Sequence, residues 1–272
     1  MKLISLRHSM PAGDLLSALP GLKQVALDSG CKWVIHQIID RSYGPSGAYP
    51  GAIYSIKDDN GTPVTMNMAT FEALRPLLIK QAYIEEFKVW DGEPVNFNLD
   101  ELRQQGTTMP MGSINRYMFY VWPDAATDLS KEWLEPPYGY DHRVLGKILI
   151  NRTQRYTNML IDYNFLKKYE DKVLFVGLPD EYQAFCSENR LDIPRLEAKD
   201  YYEIATAMYS CKFYIGNQSS LFQVAEGLKI PRILEVCQAI PNVIGSGPGF
   251  YDFVNQRSLE YYCEKLFNNY KQ

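Results

Sequence analysis

The chain has 272 residues, a net charge of −4, 46% hydrophobic and 22% charged residues. That length suits one large domain or two small ones with ample core. The acidic balance and the lack of a Lys/Arg cluster exclude a general nucleic-acid coat, and no apolar run approaches the roughly 20 residues of a membrane span.

The N-terminal residues Met1–Arg7 are too short and too soon interrupted for a signal peptide. The five cysteines, Cys31, Cys186, Cys211, Cys237 and Cys263, are scattered without redox or metal-ligand spacing and read as small buried hydrophobes of a reducing cytoplasm. His8, His36 and His142 show no ligand spacing either, so no metal site is expected. The 20 tyrosines suit contacts to sugars or flat ligands, or simply line the core margin with wet hydroxyls.

In chain order, residues 3–6 form a short apolar strand. The loop Arg7-His-Ser-Met-Pro-Ala-Gly13 precedes Asp14 and a helical stripe through Leu15, Leu16, Leu19, Leu22, Val25 and Ala26. Pro20 predicts a kink or restart there. Residues 32–39 make the second strand, giving a β-loop-α-β opening typical of doubly wound folds. A Gly- and Pro-rich loop over 41–51 suggests a lid. A hairpin is expected across Asp58-Asp-Asn-Gly61. A helix over 68–83 and a strand over 84–90 follow, then polar, irregular sequence to 111 with a short helix at 99–103. Residues 115–122 are aromatic-rich, and 129–134 suggest one helical turn.

Glu135-Pro-Pro-Tyr-Gly-Tyr140 reads as a hinge, after which strands and helices alternate from 147 to 236. The strands are expected at 147–150, 172–176, 193–196, 212–215 and 232–236, and the helices at 158–169, 180–189, 201–209 and from Leu221 onward. Such alternation means a parallel sheet covered by helices on both faces. Two such halves imply a cleft between them.

Ligands of parallel sheets gather at the C-terminal ends of strands. Three loops there carry suitable chemistry. Arg7–Asp14 offers a carboxylate at a helix start, either a cap or, free of a cationic partner, a general base. Asn151-Arg-Thr-Gln-Arg155 offers two guanidinium forks, Arg152 and Arg155, suited to a diphosphate or to surface ion pairs. Gly216-Asn217-Gln218-Ser219-Ser220 opens a helix with free N–H groups, either merely capped or holding an anion, with Gln223 about one turn further on. Gly245-Ser-Gly-Pro-Gly249 adds a candidate backbone approach. Walker A and Gly-x-Gly-x-x-Gly patterns are absent, which excludes P-loop kinases and classical dehydrogenases.

The stretch Gly13-Asp14-Leu-Leu-Ser-Ala-Leu-Pro-Gly-Leu22 resembles the N-terminal signature of bacterial heptosyltransferases, glycosyltransferase family 9. Aligned on Ala225 and Pro231, the later loop resembles that family's second signature, with Gln218, Ser219, Ser220 and Gln223 where the family has Asp, Ser or Thr, Gly and His. The resemblance implies an α/β, GT-B-like fold: two Rossmann-like doubly wound domains facing each other across a cleft. Residues 1–138 would form the acceptor-side domain and 139–272 the nucleotide-sugar domain.

It implies a metal-independent, inverting glycosyltransferase that uses a nucleotide-sugar as substrate and needs no cofactor. Asp14 matches the general base. Arg152, Arg155, Asn217, Gln218, Ser219, Ser220 and Gln223 match the donor and phosphate side, and Arg7, His8 and Tyr43 the acceptor side. The acceptor could be a glycan, a lipid-linked sugar, a small molecule or a modified nucleobase. Gln218 and Gln223 depart from the family pattern, which leaves the donor sugar open. A catalytically silent nucleotide-sugar-binding module and a nucleotide-sugar epimerase or hydrolase fit the same cleft.

Overall fold

The computed structural model describes residues 2–43, 53–103 and 112–269. Most of the lid expected over 41–51, Ala52 at the start of the hairpin's first arm and the end of the irregular stretch fall outside them.

The first half builds a four-stranded parallel sheet in the order β3-β2-β1-β4. Its elements are β1 (Lys2–His8), α1 (Ala12–Ser29), β2 (Cys31–Gln37), α2 (Met68–Leu78), β3 (Ile84–Val89) and β4 (Phe97–Asn98). β1 alternates, with Ile4, Leu6 and His8 buried and their neighbours more exposed. A short 3-10 turn, Leu99–Arg103, follows β4, and α3 (Tyr117–Val121) holds the aromatic stretch.

The second half builds a six-stranded parallel sheet. Its elements are β5 (Ile148–Asn151), β6 (Val173–Val176), α4 (Pro179–Asn189), β7 (Arg195–Leu196), α5 (Tyr201–Ser210), β8 (Phe213–Asn217), α6 (Ser220–Leu228), β9 (Arg232–Glu235), β10 (Phe250–Phe253) and α7 (Gln256–Asn269). The order is β10-β9-β8-β5-β6-β7. β5, β6, β8 and β9 are buried at every residue, which is why each reads as a continuous apolar run.

One hydrophobic core runs from the first sheet through α1 and α6 to the near face of the second. α1 packs on α6, and α2 on α5. A second cluster fills the far face, under α4, α7 and the 3-10 segment Tyr163–Lys172.

Both sheets reverse their winding once. In the first, the chain runs β1 to β2 to β3 and then returns to the other side of β1 as β4. In the second it runs β5, β6, β7 and then returns beside β5 as β8. Loops leaving adjacent strands at such a switch point diverge and open a crevice at their C-terminal ends. The residues that follow β1 and β4, and those that follow β5 and β8, are therefore the ones placed to form a site.

Several local expectations differ. α1 passes through Pro20 as one helix rather than restarting. Residues 129–134 form turns, not a helical turn; the Trp133 and Leu134 amides instead donate to the Gly227 carbonyl at 3.1 and 3.2 Å. The helix expected over 158–169 is displaced to the 3-10 segment Tyr163–Lys172, which starts where the Asp162 carboxylate caps the Asn164 amide at 2.8 Å. The helix from Met68 ends at Leu78, five residues early. The expected hairpin is reduced to one isolated antiparallel bridge, Lys57 with Pro63, while Val64 bridges to Ser42 outside it.

Candidate active site

Two adjoining cavities occupy the crevice. The first, about 490 Å3, lies between the β1 and β4 loops on one side and the β5 and β8 loops on the other. The second, about 510 Å3, is enclosed by residues 53–56 and α2 from the first half and by the ends of β5, β6 and β7 from the second. Pro11, Gly13, Tyr43, Thr65, Arg155, Ser219 and Ser220 border both cavities.

That shared wall is where two helices begin. α6 has Ser219 as its N-cap: the hydroxyl accepts from the Phe222 amide at 3.3 Å and donates to Asn151 Oδ1 at 3.1 Å. Ser220 Oγ meets the Tyr201 hydroxyl at 2.8 Å. α1 starts at Pro11, with no side-chain cap. A Cβ on Gly13 would lie 3.6 Å from the Ser220 backbone, so the two helix starts sit side by side. First-turn N–H groups lack helical acceptors and each helix start carries partial positive charge.

Arg155 completes this wall. Its guanidinium lies between the rings of Tyr54 and Tyr156, 5.2 and 4.9 Å from their centroids, and donates to the Tyr43 hydroxyl at 3.3 Å. Among the described residues no carboxylate lies within ion-pair distance of it. The loop holding it is strained at Tyr156, whose φ is 59°, and such strain costs about 1–3 kcal/mol. Asn217 supports that loop: its amide donates to the Arg155 and Thr153 carbonyls at 2.7 and 3.0 Å and accepts from the Thr153 amide at 3.1 Å. Asn217 is thus a scaffold behind the wall rather than a lining residue.

Gln218 and Gln223 line the first cavity. The Gln218 amide is bound at both ends, donating to the Ile240 carbonyl at 2.8 Å and accepting from the Cys237 amide at 2.8 Å. Gln223 Oε1 accepts from Asn115 of the first half at 3.0 Å.

Asp14 lines the same cavity, and it has the cationic partner whose absence was the condition set for a general base. Arg103 donates to its Oδ2 from Nη2 at 2.6 Å and from Nε at 3.2 Å, and the attraction of Asp14 raises the proton affinity of that guanidinium. A second carboxylate, Asp100, accepts from the Ser9 amide at 2.9 Å and the Ser9 hydroxyl at 2.5 Å, with Arg41 bonded to both residues.

Arg152 is the clearest departure from expectation. It borders neither cavity. Its guanidinium makes two 2.9 Å bonds to the fully buried Glu235, which also accepts from the Tyr163 hydroxyl at 2.7 Å. A buried carboxylate needs a cation, and Arg152 supplies it to Glu235.

The three acceptor-side candidates separate too. Tyr43 borders both cavities, its hydroxyl pushed up by burial. Arg7 instead stacks over Trp90 at 5.3 Å, and His8 is fully buried with Nδ1 3.1 Å from Gln37 Oε1; burial lowers its pKa. Neither lines either of these two cavities. The loop 245–249 does not border them either: it is tied to the buried Glu226, Lys229 and Arg232 cluster, with the Ser246 amide donating to Glu226 at 3.0 Å.

Among the lining residues that escaped the sequence reading are Arg103, Asp100, Arg41 and Glu181. Glu181, in the first turn of α4, lines the second cavity. It accepts from the Leu178 amide at 3.1 Å, and burial pushes its carboxyl up to about 7. Among the described residues no cluster of His, Cys, Asp and Glu could hold a metal ion, and no helix is long and apolar enough to cross a membrane.

Two facing parallel α/β sheets with the crevice between their switch points make this a GT-B fold. No family model matches the chain, and no curated protein matches it in sequence. Solved structures do. A glycosyl transferase of family 9 from Veillonella parvula superposes with a TM-score of 0.61 at 12% identity, over 100% of this chain and 90% of that one. Escherichia coli ADP-heptose lps heptosyltransferase II gives 0.56 at 11%, over 98% of each. E. coli heptosyltransferase WaaC with ADP-2-deoxy-2-fluoro heptose gives 0.54 at 8%, over 97% of this chain and 99% of that one. At such identities the likeness establishes the fold.

Proposed function

We propose that the protein is a glycosyltransferase that moves a sugar from a nucleotide-diphosphate-sugar to an acceptor hydroxyl. The observation that carries this is the wall shared by the two cavities. Arg155, half-buried and without a carboxylate partner among the described residues, stands beside two adjacent helix starts. That is a site for a diphosphate, and it has room for a further group on either side.

The second cavity suits the nucleoside. Its lining is mainly apolar, from Ile53, Ile56, Ala69, Ala73 and Leu196, with Glu181 as a hydrogen-bonding group for a ribose diol or base edge. The first cavity then holds the sugar and the acceptor, with residues 1–138 forming the acceptor side and 139–272 the donor side. Asp14 accepts the proton from the acceptor hydroxyl as its oxygen attacks the anomeric carbon. The departing diphosphate is met by Arg155 and the N–H groups of α1 and α6. Those charges neutralise the leaving group without a divalent ion, and attack opposite the leaving group inverts the anomeric centre. The neighbours bound to ADP-linked sugar support an ADP-sugar as the first donor to try. The thiols of Cys31, Cys186, Cys237 and Cys263 favour a cytoplasmic setting.

A second reading is a silent nucleotide-sugar-binding module, favoured by the Arg103 ion pair that occupies one oxygen of Asp14. Release of nucleoside diphosphate from a panel of ADP-, GDP- and UDP-sugars separates the two. Release that depends on Asp14 supports the transferase; donor binding with no release supports the module. Free sugar or an epimer with no conjugate supports an epimerase or hydrolase.

A further inference from the structure

Asp14 stands at the third position of α1. A carboxylate there ordinarily turns back onto the N-cap amide. In this chain the N-cap is Pro11, which has no N–H to offer, and the helix start carries no side-chain cap. The helix therefore offers the carboxylate no N-cap amide to accept from.

Arg103 uses it instead. Nε and Nη2 both donate to Oδ2, at 3.2 and 2.6 Å. Oδ1 has no hydrogen bond among the described residues. Arg103 is itself well placed. It ends the turn after β4, and β4 pairs with β1, the strand that leads into α1. Its guanidinium lies 5.5 Å from the Tyr117 ring centroid. The other charged and titratable groups facing this cavity are Asp100, Arg41, Tyr43, Arg155 and Tyr156, and Asp14 is ion-paired to Arg103 alone among the described residues.

We infer that Arg103 is a positioning residue for the transfer, and the inference rests on Asp14 acting as the general base. An unrestrained carboxylate has two equivalent oxygens and a broad terminal torsion. The Arg103 fork breaks that equivalence: it fixes Oδ2 and leaves Oδ1 as the proton-accepting atom. The acceptor O–H bond breaks and its proton goes to Oδ1. The acceptor oxygen bonds the anomeric carbon, and the bond from that carbon to the phosphate oxygen breaks, its electron pair leaving with the diphosphate.

The test compares Arg103→Met, Arg103→Lys, Asp14→Asn and Asp14→Asn/Arg103→Met for nucleoside diphosphate release from the same sugar panel. Donor affinity is followed by calorimetry with ADP, GDP and UDP. Arg103→Met is expected to lower kcat about 100-fold, the cost of a misplaced reacting group, with the affinity for the bound nucleotide within about twofold. Lysine keeps the charge but not the fork and is expected to recover less than half of that loss on a logarithmic scale. The double variant is expected to be no slower than Asp14→Asn, since residues acting as one unit are not additive.

Wild-type kcat in Arg103→Met, or full additivity in the double variant, overturns the positioning role. If the wild type releases nothing, or Asp14→Asn matches it, the transferase reading itself falls and the catalytic role of Arg103 with it. A substrate-free measurement keeps the geometry separate. The Arg103 Nε–H resonance is expected to be protected from exchange in the wild type and exposed in Asp14→Asn, and an exposed wild-type resonance overturns the fork.

Discussion

Replacing Glu181 by glutamine tests the second cavity without any ligand. The carboxyl is buried in the first turn of α4, and that burial pushes it from 4.5 up to about 7 against the pull of the Leu178 amide. The sign follows from proton counting. Between pH 4.5 and about 7 the unfolded chain has lost this proton while the folded chain keeps it, so stability falls as pH rises through that window. At about 1.36 kcal/mol per unit the full effect is about 3 kcal/mol. Glutamine keeps the shape and the acceptor for the Leu178 amide but carries no charge to bury. Glu181→Gln is therefore expected to match the wild type near pH 4.5 and to exceed it by up to about 3 kcal/mol at pH 8. For a chain of this size that is about 6 °C in Tm.

The assay is calorimetric or urea unfolding of both proteins from pH 4.5 to 8. Other titrations cancel in the difference, including Lys229, which burial lowers to about 8 and which acts above the window. Parallel curves, or a variant less stable at pH 8, would refute the burial of an uncompensated carboxyl.

Three further outcomes are expected. Asp14→Asn should lower kcat by about 10²–10⁴-fold with the fold intact, the usual contribution of a positioned general base, read by nucleoside diphosphate release. Arg155→Met should weaken nucleoside diphosphate binding about 10- to 100-fold, the worth of charge-assisted bonds to phosphate, read by calorimetry. Arg152→Met should leave Glu235 buried and unpaired, costing about 3–5 kcal/mol of stability; urea unfolding reads this, and the folded fraction should still bind nucleotide with wild-type affinity.

The sheets were largely legible in the sequence because their strands are either buried on both faces or cleanly alternating. Isoleucine and valine runs such as 148–151 and 173–176 leave no other periodicity. The loops after β1, β5 and β8 were legible for the same reason, since they interrupt apolar runs with Asp14, Arg155 and Ser219. What failed depended on distant partners. Arg152 and Arg155 look alike in sequence, but Glu235, 83 residues from Arg152, decides between them; a glutamate ending an apolar strand was the available signal. Arg103 and Asp100 were hidden because β4 has only two residues, too few for a period to show. Glu181 looked like an ordinary acid in a helix first turn, and only the cavity around it separates a cap from a ligand group. The helix expected over 158–169 starts late because Asp162 caps it at the Asn164 amide, and an Asp inside an apolar stripe was the available signal.

The central claim, that the wall between the two cavities binds a nucleoside diphosphate, is tested most directly by thermal unfolding with ADP, GDP or UDP in the presence of EDTA. At 100-fold above Kd a ligand that binds only the folded chain adds about 2.7 kcal/mol, or about 5 °C for a chain of this size. At least one of the three nucleotides is expected to raise Tm by that order in the wild type and by much less in Arg155→Met. No shift with any of them, or an equal shift in Arg155→Met, would contradict the assignment of that wall to a donor diphosphate.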